Sequence, residues 1–248
     1  MYEITDDRRV SAPADVWQAI RGLWALPDEA SLCRLLPRDA RSLSAFYPDL
    51  KAFVADAPRV AAGFVEPGAI VRGEIVTLGA DSVIEAGAII HESCRLVLGP
   101  GSRVRGGAVL REEVVIGPHC VVGAHCELTR TVVLGPNTFL GHYVYVGDSI
   151  VGRDVVFSGN VLTANTKSAG DSAVRMKFRG ERVDSGRTHF GALVGDGVRF
   201  GASTLLCPGC IVMPGLSLPP GVVLYGTIDA ARRDALLRRF FSTWDVDV

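Results

Sequence analysis

The sequence predicts an all-β solenoid, and three observations carry that prediction. Nine aliphatic residues recur at a strict interval of six: Leu98, Val104, Leu110, Ile116, Val122, Leu128, Leu134, Leu140 and Val146. A helical face would return at three and four residues and a plain strand at two. A period of six therefore describes a chain that turns a corner after each short strand and brings the same kind of side chain back inward. Second, Gly99-Pro100, Gly117-Pro118 and Gly135-Pro136 are spaced by eighteen. Three hexapeptides thus close one triangular coil, and these pairs stack on one corner, where glycine accepts the bend and proline brings no N–H that a turn would leave unpaired. Third, the same period flanks the regular block, with Leu78, Ile84, Ile90 and Leu96 before it and Val194, Phe200, Leu206, Val212, Leu218 and Leu224 after it. Coils of such a parallel β-helix stack at strand spacing, about 4.8 Å.

Residues 1–62 lack the period and read as a helical N-terminal cap. Ser11-Ala12-Pro13-Ala14-Asp15 opens a helix that continues through Val16, Trp17, Ile20, Leu23 and Trp24; Leu32, Leu35 and Leu36 mark a second, and Leu50, Phe53 and Val54 a third after Pro48. A cap would cover the unpaired strand edges at the open end of a solenoid, with partner binding as the alternative use. The solenoid occupies 63–228. Its repeats begin loosely at Val65 and Val71, slip by two residues between Leu96 and Leu98, and lose one residue between Val146 and Val151.

After Asn165 the pattern stops for about 25 residues, Thr166 to Phe190. This excursion carries Lys167, Arg175, Lys177, Arg179, Arg182 and Arg187, including two of the three lysines in the chain. Val174 to Arg179 alternates as a strand does and Gly180-Glu181 is turn-like, so an extruded hairpin is expected. Long loops in compact domains usually serve a function; this one either supplies a cationic wall to a site or clasps a neighbouring subunit. Residues 229–248 form a terminal helix, with Asp229 as N-cap and Ala230, Ala231, Ala235, Leu236, Leu237, Phe240 and Phe241 at helical spacing.

A net charge of −1 over 248 residues provides no field directed at nucleic acid or membrane. The N-terminus, Met1-Tyr2-Glu3-Ile4-Thr5-Asp6-Asp7, is acidic where a secretory signal would be basic and then apolar. A cytoplasmic protein is expected, with neither nucleic acid nor membrane as partner. Cys94, Cys120, Cys126 and Cys210 each lie four residues after a repeat aliphatic, a slot for small buried side chains. Cys207-Pro208-Gly209-Cys210 has the spacing of a redox pair but falls in register with Gly117-Pro118-His119-Cys120 as ordinary coil sequence.

No phosphate-binding loop, dinucleotide glycine fingerprint, nucleophile elbow or HExxH appears. What remains is histidine on a rigid scaffold: His91, His119, His125, His142 and His189. His142 stands out through its neighbours, because Gly141-His142-Tyr143-Val144-Tyr145-Val146-Gly147-Asp148-Ser149 puts an imidazole, two phenols and a carboxylate on one coil just before the cationic excursion. Moving an acyl group from a thioester to an amine needs a base that takes a proton near neutral pH, which suits the pKa of histidine.

Gly141 to Ser149 is similar to the GH-x-x-Y-x-GDS segment in the acetyltransferase domain of sugar-1-phosphate nucleotidylyltransferases, the bifunctional N-acetylglucosamine-1-phosphate uridylyltransferase/glucosamine-1-phosphate acetyltransferase group and its archaeal-type relatives. Val104 to Arg111 resembles their IRPGAYIRG stretch. Gly180 to Arg187, followed by Phe190 to Asp196, resembles their loop that returns to the coil as TG-x-x-KLGAIIGD. The similarity spans roughly residues 70–225. It implies a left-handed helix, an acyl-CoA-dependent N-acetyltransferase acting on an amino-sugar phosphate or nucleotide-linked amino sugar, and a homotrimer with its active site between subunits. By position, His142 would be the general base and Tyr145 would place the sugar. Arg105 or Arg111 would hold the sugar phosphate, Arg130 stands where relatives have lysine, and Asn165 and Lys167 complete the substrate set. Gly159, Ala202, Lys177 and Arg187 would meet acetyl-CoA, the co-substrate; acyl transfer requires no metal.

The sequence departs from the relatives in three places. Val156 stands where they often have asparagine, and Ser158-Gly159-Asn160 replaces their GAG turn near the path of the pantetheine arm. The nucleotidylyltransferase domain and its LxGGxGTRM loop have no counterpart, so this chain is not expected to make nucleotide sugars by itself, and a separate nucleotidylyltransferase chain becomes a possible partner. Two other readings stand beside the transferase. One is a non-catalytic trimeric module that binds sugar phosphates or assembles with such a partner. The other is a zinc lyase resembling the γ-class carbonic anhydrases, against which His119 and His125, six apart, fall on successive faces rather than forming a close pair.

Overall fold

The computed structural model describes residues 54–244 except 56, 58, 131, 169, 171, 179 and 180. The expected helical cap falls almost wholly outside the described residues. From Val60 onward the chain winds into a three-sided parallel solenoid. Sheet A has nine strands among the described residues, and sheets B and C have eight each. Successive strands go to successive sheets, so each strand pairs with those one coil before and after it: Leu98 with Ile116, Val104 with Val122, Leu110 with Leu128.

The predicted period is the period of burial. Ile84, Ile90, Leu98, Val104, Leu110, Ile116, Val122, Leu128, Leu140 and Val146 are all fully buried in one continuous core. Phe157 and Phe200 pack together in it at 4.8 Å between ring centroids, tilted by 38°, an aromatic contact worth about 1 kcal/mol beyond its burial. The small residue after each A–B corner is buried too. Ser102 Oγ donates to Gly117 O at 2.6 Å, Cys120 Sγ to Gly135 O at 3.0 Å and Thr138 Oγ1 to Gly152 O at 2.9 Å, so each ties its coil to a later turn.

Two edges of the prism are regular. From Leu78 to Leu224 the inward residues on either side of the A–B edge and of the B–C edge stay six apart, as in Ile116, Val122 and Leu128 or Val194, Phe200 and Leu206. All variation in coil length falls on the C–A edge. Two extra residues follow Ile90, one is lost after Val146, and the excursion enters between Thr163 and Val194.

That excursion forms the predicted antiparallel hairpin, Arg175–Phe178 with Glu181–Asp184. It does not project freely from the coil. Val174 and Met176 are buried, and the Arg175–Phe178 strand lies against the sheet A strands Cys210–Val212 and Thr227–Ile228, with Thr227 Oγ1 donating to Lys177 O. The chain then ends in α1, Ala230–Trp244, capped by Asp229 Oδ1, which accepts the N–H of Arg232 at 2.9 Å. Leu236 of α1 packs on the end of the core.

Corner glycines are demanded for two different reasons, which can be separated. A Cβ on Gly123 would lie 1.6 Å from the carbonyl oxygen of Gly141 in the next coil, whereas one on Gly221 would meet nothing, although its φ is 70°. Asn160 holds the position of Gly221 in an earlier coil at φ 60°. Gly123→Ala should therefore cost more than about 3 kcal/mol in denaturant unfolding, and Gly221→Asn less than about 1 kcal/mol; equal costs would show that backbone conformation, not coil-to-coil approach, governs these corners.

Candidate active site on two edges of the solenoid

The B–C edge carries the histidine. His142 follows the strand Phe139–Leu140 and precedes Tyr145–Gly147, and its side chain is exposed. Gly159 lies one coil further along the same edge. A Cβ there would be 2.8 Å from His142 Nε2, so the imidazole occupies the space a side chain would otherwise fill. Tyr143 meets His142 edge-on at 5.8 Å and stacks face to face on His125 at 5.2 Å. Among the described residues neither ring nitrogen of His142 has a hydrogen-bond partner. Ala202 continues the column past Gly159, and Arg105 stands exposed on this edge two coils before His142.

The C–A edge carries the charges. Asp148 is fully buried in a left-handed corner at φ 44°. Its Oδ2 accepts from Asn165 Nδ2 at 2.8 Å and faces Arg130 Nε at 3.9 Å, while Oδ1 accepts from Arg187 Nη2 at 3.4 Å. Burial pushes the Asp148 carboxyl above its ordinary value, against the pull of the Asn165 hydrogen bond, the Arg187 and Arg130 guanidiniums and His189. Asn165 Oδ1 in turn accepts from Tyr145 Oη at 3.3 Å. Burial, with the Glu127 carboxylate beside it, pushes the half-buried Tyr145 phenol up, which keeps it a hydrogen-bond donor. Thr163 Oγ1, fully buried at a core position, accepts the N–H of Gly147 at 3.0 Å. Ser149 Oγ accepts the N–H of Ala192 at 2.9 Å where the chain returns from the excursion.

Tyr145, Arg130, Asn165 and Arg187 are thus brought together, and the short strand Tyr145–Gly147 links them to His142 at the opposite edge of sheet C. Asp148, read from sequence only as a carboxylate on the coil, is the centre of the group. Arg111 stands on the same edge two coils earlier, paired with Glu127 at 3.4 Å, its buried Nε without a hydrogen-bond partner. Lys167 is turned into the excursion, where Nζ donates to Ser172 Oγ at 2.5 Å and to Ala173 O at 3.0 Å. Lys177 is exposed on the hairpin that lies against sheet A, the face opposite the His142 edge, so within one chain it does not approach the imidazole. His119 and His125 lie on different edges, and among the described residues no group of three or more His, Cys, Asp or Glu is arranged to hold a metal ion. No helix among the described residues is long and apolar enough to cross a membrane.

The molecule is therefore a hexapeptide-repeat parallel β-helix with an open imidazole on one edge and a guanidinium–carboxylate–amide cluster on the next. Its homologues are bifunctional sugar-1-phosphate nucleotidylyltransferase/acetyltransferases, matched through the C-terminal part of this chain. The protein of that name from Sulfurisphaera tokodaii is 28% identical over 166 residues, 65% of this chain and 39% of the relative. The bifunctional protein GlmU of Methanocaldococcus jannaschii is 33% identical over 157 residues, 59% of this chain and 35% of the relative. The chain thus spans less than two-fifths of the length of either. No protein-family model matches it. Among solved structures it is similar to UDP-N-acetylglucosamine acyltransferase from Campylobacter jejuni, at 15% identity and TM-score 0.36 over 75% of this chain and 86% of that one. It is also similar to perosamine N-acetyltransferase from Caulobacter crescentus, solved with CoA and GDP-perosamine, at 19% identity and TM-score 0.30 over 75% and 61%.

Two measurements follow from the buried groups. Burial pushes the thiols of Cys94, Cys120 and Cys210 up to about 12 and that of Cys126 to about 11, while Cys207 is partly exposed. In a Cys33→Ser variant a thiol reagent at neutral pH should label Cys207 alone in the native state; rapid labelling of Cys210 as well would reopen a redox role for the pair.

Asp148 predicts a pH dependence of stability. Its folded pKa lies above the unfolded one, so the native state binds more protons across the interval between them. The stability this residue contributes is present below that interval and lost as pH rises through it. Asp148→Asn, fixed in the uncharged form, should gain on the wild type in melting temperature as pH is raised from about 3 to about 7. The reverse trend would show that the arginines over-compensate for burial.

Proposed function

We propose that the chain is an acyl-CoA-dependent N-acetyltransferase whose acceptor is an amino-sugar phosphate or a nucleotide-linked amino sugar, with His142 as general base. The observation that carries this reading is the placement of His142: an exposed imidazole fitted over Gly159 on one edge, with the Tyr145–Asn165–Asp148–Arg130–Arg187 network beginning three residues further along the same coil. The acetyltransferase names of the relatives support acyl transfer.

In this mechanism His142 accepts a proton from the acceptor amine as the amine nitrogen bonds to the thioester carbonyl carbon. The carbon–sulfur bond then breaks, and the proton passes to the departing thiolate. A neutral imidazole takes the first proton and the imidazolium so formed gives it up in the second transfer, which suits acid–base exchange near physiological pH. Tyr145 Oη and Asn165 hold sugar hydroxyls, and Arg130 and Arg187, with Arg111 further along that edge, face the phosphate as paired forks. His142 and the charged cluster lie at opposite ends of a short strand. A homotrimer, in which a neighbouring chain completes the cleft, fits this separation, and Lys177 and Arg105 then serve across the subunit boundary or not at all.

One observation favours a second reading, a non-catalytic sugar-phosphate-binding module that assembles with a separate nucleotidylyltransferase chain. Val156 lies in register between Phe139 and Arg199 on sheet B, an apolar residue at a position where the resemblance to the acetyltransferase domains places asparagine.

A thiol-release assay with acetyl-CoA and glucosamine-1-phosphate, run beside nucleotide-linked amino sugars, decides between them. Turnover should fall by about 100- to 10,000-fold in His142→Ala with melting nearly unchanged, and Gly159→Ala should also lose rate by displacing the ring. Sugar-phosphate binding without acetyl-CoA binding or thiol release would establish the module instead.

A further inference from the structure

We infer that Asp148 is a positioning residue: its buried carboxylate gathers Arg130, Arg187 and Asn165 into one preorganised receptor for a phosphorylated amino sugar. The identity of that ligand rests on the function proposed above; the arrangement of the receptor does not.

The three side chains come from distant parts of the sequence. Arg130 belongs to the preceding coil, Asn165 is the last coil residue before the excursion, and Arg187 lies in the segment between the hairpin strand Glu181–Asp184 and the coil strand Ala192–Val194. Among the described residues Asp148 is the one that joins all three, with one oxygen given to Arg187 and the other shared by Asn165 and Arg130. The carboxylate is completely buried, whereas the Arg130 and Arg187 side chains stay 39% and 28% exposed. The carboxylate therefore holds each guanidinium on its buried side while the arginine side chain stays partly exposed. Two positive charges against one negative leave the group cationic, and planar forks held in one place suit phosphate better than mobile lysines.

The hold extends to orientation. With Nδ2 committed to Asp148, the Asn165 amide must present Oδ1 to Tyr145, so the phenol is fixed as donor to Asn165. The corner is also costly to keep. A non-glycine residue at positive φ carries backbone strain, and burying a carboxylate works against the fold. A neutral side chain of the same shape would fill the space at less cost. What the ion adds is the simultaneous grip on two guanidiniums and an amide, so that a ligand does not have to order them on binding.

The test is isothermal titration with glucosamine-1-phosphate of the wild type, Asp148→Asn, Arg187→Met and the double variant, with circular dichroism confirming the fold. If Asp148 acts through its partners, Asp148→Asn should weaken binding by about tenfold or more. The double variant should be little weaker than Arg187→Met alone, a coupling that a purely structural role does not produce. Should Asp148→Asn not fold, Asp148→Glu, which keeps the charge but moves it by one methylene, should show the same loss. Wild-type affinity in either variant, strict additivity in the cycle, or no binding by the wild type would overturn the positioning role. A wild type that binds the sugar phosphate but releases no thiol from acetyl-CoA would count against the transferase reading and leave this inference standing.

Discussion

The constraint on which the rest depends is coil-on-coil registry. Backbone donors and acceptors in the body of the solenoid are met by the coils before and after, as where Arg103 N–H reaches Cys120 O and Val121 N–H reaches Thr138 O. A coil that drifted by one residue would turn its aliphatic side chains outward and leave that ladder unpaired. Strict spacing of six on two edges is the sequence form of this requirement, and the glycines with no room for a Cβ, such as Gly123, mark where successive backbones approach most closely.

Because two edges cannot vary, variation collects on the third. The C–A edge takes the two-residue insertion, the one-residue deletion and the entire excursion, and it is here that a polar residue, Thr163, replaces an aliphatic in the inward series. Asp148 takes the left-handed corner position that Arg130 holds one coil earlier, and it is fully buried there. The excursion then folds back on sheet A and delivers Arg187 to that carboxylate. Irregularity and the charged cluster share an edge because there the chain can leave the coil without breaking the ladders.

The functional elements divide along the same lines. His142 sits on an invariant edge, where its ring is placed by Gly159 and Tyr143 with little freedom of backbone. The charged cluster sits on the variable edge, where side chains from three segments converge. Tyr145, on the strand between, is tied to the cluster through Asn165. An imidazole placed by its coil neighbours and a charged cluster assembled by tertiary contact are therefore held at opposite ends of one short strand.

The sequence by itself determined the period, the triangular coil, the burial of the small residues after each A–B corner, the hairpin and the terminal helix. Each of these is written in local spacing that one coil repeats in the next. It also singled out His142, Tyr145 and Asn165 through a nine-residue motif and its surroundings. The tertiary structure alone decided where the excursion goes, and so which of its cations reach the site. Arg187 does, Lys167 is spent on Ser172 and Ala173, and Lys177 lies on the far face. It also decided that Asp148 is a buried hub. No spacing rule could show this, because the contacts joining positions 130, 148, 165 and 187 depend on how far a chain that leaves the coil travels before it returns.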